Sequence, residues 1–537
     1  MEAGLKLTNQ DSQMTDPSLA NENPAGTITR GRYALLKAID ASSVETVEDA
    51  GIFQKGGRIL DIGPFERVVS HHPDASVLGT INDLVIPGLV NTHHHVGMTP
   101  VQLGSPDLPL ETWLTHHIRH RAVDPYLDTL YSAFELIASG VTAVQHLGGM
   151  KPGPVTDWPS NATSIIDAYR DIGMRVSYAF CNRDQHRLVY DADDVFLASL
   201  PEDLRLRADA FMKRSHFKLE DFETEFLKPM LGRFGGSDEP LVRIWLAPIN
   251  LERSSDKLLT LTRDWAHKYN IGIHLHLSET PYQKEFSRRR FGKSSLAHLE
   301  DIGFLGPHLT VGHGTWICES DLDIVSRHGV CVCHNASSNL RLRSGIAPVR
   351  EFLKRGIPVA LGIDEAGLND DRDMLQEMRL VKHLHAKPGL YEPPLTAAQI
   401  FQMATEHGAQ ATGFGNEIGS IEIGKRADIV SLDYAKMTRP YIDPTMSVVD
   451  TLIYRGKTEH VSTVMIEGKV VYRAGNFTFV DRETTLDKLA DQFALPRSDN
   501  ETMRAEFSKA VFPYVHNYYR DWELPKSEPF YHMNGRT

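Results

Sequence analysis

The stretch Asp83-Leu-Val-Ile-Pro-Gly-Leu-Val-Asn-Thr-His-His-His95 runs an apolar, strand-like segment into three consecutive histidines. Side chains alternate between the two faces of a strand, so His93 and His95 share one face and His94 takes the other. Such a strand presents two imidazoles side by side at its C-terminal end. In a barrel of parallel strands that end carries the chemistry, so the reading turns on whether more strands of the same kind follow.

Seven more do. Apolar runs recur at 140–145, 174–180, 242–247, 271–276, 309–312, 329–333 and 357–363, with helix-like segments between most of them. Alternation of this kind means parallel strands joined by helical crossovers. Eight runs within residues 85–419 predict a (β/α)8 TIM-like barrel with insertions, an α/β fold. Outside it the pattern changes to short β-type runs broken by Gly and Pro, at 33–36 and 58–62 before the barrel and at 424–432 and 464–472 after it. Residues 26–84 and 420–480 are therefore expected to pair as the two parts of one small β-sandwich domain. Residues 1–25 are polar and read as a flexible N-terminal tail. Residues 481–537 mix helical stretches with Phe512, Tyr514, Tyr518, Tyr519 and Trp522 and read as a C-terminal helical extension.

A chain of 537 residues with 41% hydrophobic and 24% charged residues has the profile of a soluble globular protein, too long for one ordinary core. A net charge of −13 opposes nucleic acid or an anionic membrane surface as main partner. No apolar run is long enough to span a bilayer, and the first residues lack the pattern of a signal peptide. The expected setting is the cytoplasm, and the expected assembly a homo-oligomer, dimer or tetramer. Cys181, Cys318, Cys331 and Cys333 show no paired framework, and Cys331 and Cys333, which share one face of a predicted strand, read as core thiols rather than metal ligands.

The remaining strand ends carry donors as well. The fifth run ends in His274-Leu-His276-Leu-Ser-Glu279, the sixth in Gly312-His313 and the eighth in Gly362-Ile-Asp364-Glu365. Each taken singly has an ordinary reading. A lone His-X-His pair packs in many cores, one of His274 and His276 could sit in the barrel wall, and an Asp after a strand often caps a helix. Together they fall on one predicted rim. Imidazoles with a carboxylate suit zinc, or iron or manganese, and three His with one Asp leave a position for water. A divalent cation would bring the pKa of that water to roughly 7 and supply a nucleophile at neutral pH.

Pro87–His95 in this form resembles the first-strand signature of the amidohydrolase superfamily. His276-Leu-Ser-Glu279 is similar to the fifth-strand motif of its cytosine, guanine and S-adenosylhomocysteine deaminase branch, and triazine hydrolases are also similar. Leu361-Gly-Ile-Asp364 with Asn369-Asp370 resembles the eighth-strand motif, and Ser420–Asp428 and Val464–Gly468 the closing β domain. The resemblance runs from about residue 55 to 475. It implies that His93, His95, His276 and Asp364 hold one divalent metal, most simply Zn2+. It also implies that Glu279 shuttles a proton to a ring nitrogen of an aromatic N-heterocycle, that His313 orients the water, and that Asp364 takes the water's proton. The amino group would leave as ammonia. Two-metal relatives bring a carboxylated Lys or a Glu from a middle strand. The fourth run has neither, although Glu252 lies just past its end.

Several residues point toward the substrate. His334-Asn-Ala-Ser-Ser-Asn339 resembles the segment that gives polar contacts to a heterocycle, which makes His334 and Asn339 candidates; a plain Ser/Asn-rich turn is the alternative. Trp113, in the stretch resembling a lid helix, could stack on a flat ring or anchor the helix. His146 ends the second run. Glu365 could bind a basic group or pair with Arg341 or Arg343. The acidic residue that binds ribose in the nucleoside branch aligns with Ala122, which shifts weight toward a free base, pterin or triazine. The same machinery could displace chloride or an alkylamine or cleave an amide-type C–N bond, because fold does not fix the leaving group. A non-catalytic scaffold would be expected to have lost the metal donors, and here all of them are present.

Overall fold

The computed structural model describes residues 24–95, 97–149, 154–214, 217–236 and 239–524. The polar tail expected for 1–25 lies almost entirely outside them. Eight parallel strands form the body: β1 Leu89–His94, β2 Val141–Gly148, β3 Arg175–Asn182, β4 Val242–Pro248, β5 Ile273–Leu277, β6 Leu309–His313, β7 Cys331–His334 and β8 Val359–Leu361. They pair in sequence order. The ring closes where His94 bridges Asp364 in parallel and the Asp364 amide donates to the His93 carbonyl at 2.8 Å. Thr92 Oγ1 also donates to the Leu361 carbonyl at 2.7 Å. Every residue of β1, β2 and β3 is buried. This is why the runs read as continuously apolar rather than alternating: a parallel sheet is covered on both faces.

The opening stretch behaves differently from a single strand. It divides at Gly88 into Asp83–Pro87 and β1. Asp83–Pro87 belongs to a second, nine-stranded mixed sheet, pairing with Thr27–Ala38 on one side and antiparallel with Ile429–Asp433 on the other. Segments before and after the barrel are thereby sewn into one sheet. The buried Arg175 on β3 ties the barrel to it, donating to Asp428 at 2.7 and 2.9 Å and pairing with Glu467. Beyond this sheet, helices Arg482–Ala494 and Asp499–Tyr518 pack back on the barrel mouth. The second of them, with Tyr519 just past its end, forms an apolar cluster of Phe507, Val511, Val515 and Tyr519 with Tyr190, Phe196 and Phe286. All four cysteines are free thiols. Among the described residues no helix is long and apolar enough to cross a membrane.

Candidate metal and catalytic site

Four strand ends bring the predicted donors together. His93 Nε2 lies 3.1 Å from His95 Nε2, which lies 3.1 Å from His276 Nε2. Asp364 Oδ1 is 3.6 Å from His93 Nε2 and 3.5 Å from His95 Nε2. Among the described residues, the converging donor groups are His93, His95 and His276, and His93, His313 and Asp364. Glu252 joins neither group. Burial lowers the pKa of all three ligand imidazoles, and the neighbouring histidines lower His93 and His276 further. Neutral rings are what a metal requires.

The tautomers follow from the outer bonds. His95 Nδ1 faces the Leu147 carbonyl at 3.0 Å and His276 Nδ1 the Ile249 carbonyl at 2.5 Å. A carbonyl can only accept, so each Nδ1 carries the proton and each Nε2 presents a lone pair. Lone pairs aimed at one another at 3.1 Å, with a carboxylate beside them, repel unless a cation lies among them. The donor set therefore fits a divalent metal, with tautomers locked by second partners as such sites demand. His274 Nε2 is 2.8 Å from His93 Nδ1, a contact between two imidazoles that either ring can donate.

Backbone shape supports the same point. His313 (φ 69°) and Asp364 (φ 66°) both adopt the left-handed region, costly for residues with a side chain and concentrated at functional sites. Two glycines give the rings room. A Cβ at Gly362 would lie 2.5 Å from His93 Cβ and 2.4 Å from Asn335 Oδ1; at Gly312 it would lie 3.0 Å from His93 Cε1.

Beside the metal donors stand two carboxyls and an imidazole. His313 Nε2 is 3.8 Å from Glu279 Oε2 and 3.8 Å from Asp364 Oδ2. His313 Nδ1 meets Asn339 Oδ1 at 2.9 Å, and Ser338 Oγ donates to Asp364 Oδ2 at 2.7 Å. Burial, then the charges of Asp364 and Glu111, push the Glu279 carboxyl well above the ordinary range. Glu111 is itself buried, accepting from Thr280 Oγ1 at 2.6 Å. Burial pushes Glu252 up to about 8, and both its oxygens lack a hydrogen-bond partner.

The matching family model, the amidohydrolase family, spans residues 84–471. The chain belongs to that family. As a member it is a hydrolase of carbon–nitrogen bonds other than peptide bonds and uses a divalent metal. It is 31% identical over 420 residues to the 5-methylthioadenosine/S-adenosylhomocysteine deaminase of Syntrophobacter fumaroxidans, covering 77% of this chain and 86% of that one. An adenosine deaminase from Xanthomonas campestris with bound zinc superposes with a TM-score of 0.68 at 24% identity, over 88% of this chain and 99% of its own. A zinc complex of atrazine chlorohydrolase from Arthrobacter aurescens gives 0.74 at 21% identity, over 87% and 99%. At these identities the two structures share the fold.

The proposed substrate contacts divide. His146 lines a cavity of about 1020 Å³ that opens beside His95, and its Nδ1 meets the Tyr169 hydroxyl at 3.0 Å. Asn339 touches His313 rather than that cavity. Trp113 is buried with Leu110 and Leu342, its ring against His117 at 3.7 Å, as an anchor of the helix Leu110–His117. His334 is fully buried and turned to His385 Nε2 at 2.9 Å. Burial and the adjacent Asp364 push Glu365 up to about 8, and its Oε2 has no hydrogen-bond partner. Sequence reasoning missed Ser338, although it lies inside the quoted 334–339 segment, and missed Glu111, inside the quoted lid-helix stretch. It also missed Arg504, which lines the cavity from the far C-terminus and carries no local signal.

Proposed function

We propose that this chain is a one-metal aminohydrolase that releases ammonia from an amino-substituted aromatic N-heterocycle, with zinc the ion best suited to its donors and His93, His95, His276 and Asp364 as ligands. The observation that carries the reading is the placement of Glu279 and Asp364 each 3.8 Å from His313 Nε2, next to three converging imidazoles. A bound divalent cation supplies Lewis-acid activation of the attacking water. Asp364 accepts a proton from that water. His313, its Nδ1–H held by Asn339, turns an accepting Nε2 toward it. Glu279, whose carboxyl is raised well above the ordinary range by burial, donates its proton to the ring nitrogen as the water oxygen bonds to the ring carbon. The proton held by Asp364 then passes to the amino group, the C–N bond breaks, and ammonia leaves. The remaining hydroxyl proton returns to Glu279, which restores both groups.

The size of the cavity and the 31% identical deaminase favour an adenine-type nucleoside as substrate. A free base is the second reading, favoured by Ala122, which offers no carboxylate to a ribose from the cavity wall. Ammonia release from matched bases and nucleosides, before and after chelation and re-addition of zinc, tests both. Activity should vanish on chelation and return with the metal. Silence across the panel with metal bound, or full turnover by Asp364→Ala, would refute the proposal.

A further inference from the structure

Part of the wall of the cavity that His95 lines is built by a segment with no regular structure. Residues 118–124, between the helices Leu110–His117 and Pro125–Ala138, form neither helix nor strand. Backbone polar groups in such a segment need partners from elsewhere, and here the C-terminal helices supply them. Arg504 Nε donates to the Ile118 carbonyl at 2.9 Å, and its Nη2 reaches the His120 carbonyl. The Ala122 amide donates to Glu501 Oε1 at 2.9 Å, while Gln492 Nε2 donates to the Ala122 carbonyl at 3.1 Å and its Oε1 accepts from the Asp124 amide at 3.2 Å. Arg121 returns two bonds, to the Phe493 and Leu495 carbonyls at 2.8 and 3.0 Å.

Glu501 cannot drift from this position. It closes the capping box of its own helix, accepting from the Ser498 amide at 2.8 Å. Arg504, one turn on, lines the same cavity as His95, His117 and His120. These helices lie beyond residue 471, where the family match ends.

We propose that the C-terminal helices are a working part of the substrate site, with Arg504 a positioning residue that fixes the 118–124 wall and so sets which substituent a bound heterocycle carries beyond its reacting ring. The inference rests on the deaminase reading above. On that reading a base reacting beside His95 would leave the rest of this shared cavity empty, and the substituent of a nucleoside-sized substrate would fill it toward 118–124. Holding the wall in one conformation removes the ordering cost from binding.

The test uses the full chain with metal, comparing wild type, Arg504→Ala and Arg504→Lys. Two readouts apply: the ratio of kcat/KM for adenosine to that for adenine, and hydrogen exchange of the 118–124 amides. Arg504→Ala should lower the ratio about tenfold through KM for the nucleoside and speed exchange at Ala122 and Asp124. Arg504→Lys, which keeps a donor, should recover part of both. An unchanged ratio despite faster exchange would overturn the proposal, as would equal losses on both substrates accompanied by a lower Tm. If wild type acts on neither compound, the adenine-type substrate reading fails while exchange still reads whether Arg504 holds the wall. Exchange that is unchanged in Arg504→Ala refutes the positioning role on its own.

Discussion

Glu279→Gln keeps the shape of the side chain and removes its transferable proton. Glu279 and Asp364 both approach His313 Nε2 at 3.8 Å, so a charge on one is felt by the other. The two 3.8 Å legs bring the carboxylate oxygens within 7.6 Å of one another, where at an effective dielectric of about 20 two charges repel by at least about 2 kcal/mol. Burial is the larger cause, and the two together raise the Glu279 carboxyl well above the ordinary range, the direction that a proton donor needs. Glutamine cannot give that proton to a ring nitrogen. General-acid contributions of this kind are worth roughly 10²–10⁴ in rate, or about 3–5 kcal/mol of activation free energy. The variant should therefore lose kcat by that factor. It should bind metal as wild type does, because Glu279 is outside the converging donor groups. It should fold at least as stably, because a buried acid beside Asp364 and Glu111 becomes a neutral amide. The assay is initial-rate ammonia release, with metal content and Tm measured on the same preparation. A kcat within tenfold of wild type would refute the proton-donor role, and a loss matched by missing metal would refute the separation of donor from ligand.

Three further outcomes are expected. Gly362→Ala should cost about 1–3 kcal/mol of stability, as forced overpacking does, and should lower metal occupancy, because the new methyl meets His93 Cβ at 2.5 Å; Tm and metal analysis check it. Glu252→Gln should stabilise the protein more at pH 8 than at pH 4. A Glu raised from 4.5 to about 8 in the fold contributes stability that is complete below the unfolded pKa and is lost as pH rises through that interval; denaturant titrations at both pH values, giving equal gains, would contradict it. Arg175→Met should cost about 3–5 kcal/mol, because Asp428 is left as a buried, uncompensated charge, with chemical unfolding as the measurement.

Much of this protein is written locally. The eight strands were legible because a parallel sheet covered on both faces needs unbroken apolar runs, and because helical crossovers separate them. The candidate donors were only partly legible: alternation puts His93 with His95 on one face, but it puts His274 with His276 in the same way, and only the resemblance to the deaminase motif singled out His276. The division of the opening stretch at Gly88 was not legible. Both halves are equally apolar, and only partners far away in sequence, Ile429–Asp433 for one and β2 for the other, separate them. His334 and Trp113 show the same limit for side chains, since alternation gives a face but not whether a neighbour such as His385 or Leu342 already occupies it. The tautomers of the ligand histidines depend on carbonyls of Leu147 and Ile249, and the cavity wall depends on Arg504 and Glu501, more than 370 residues from the backbone they hold. A sequence fixes periodicity and residue chemistry, which are properties of neighbours along the chain. The pairing of distant polar groups is decided only when folding removes water and each buried donor must find whichever acceptor the tertiary structure puts within reach.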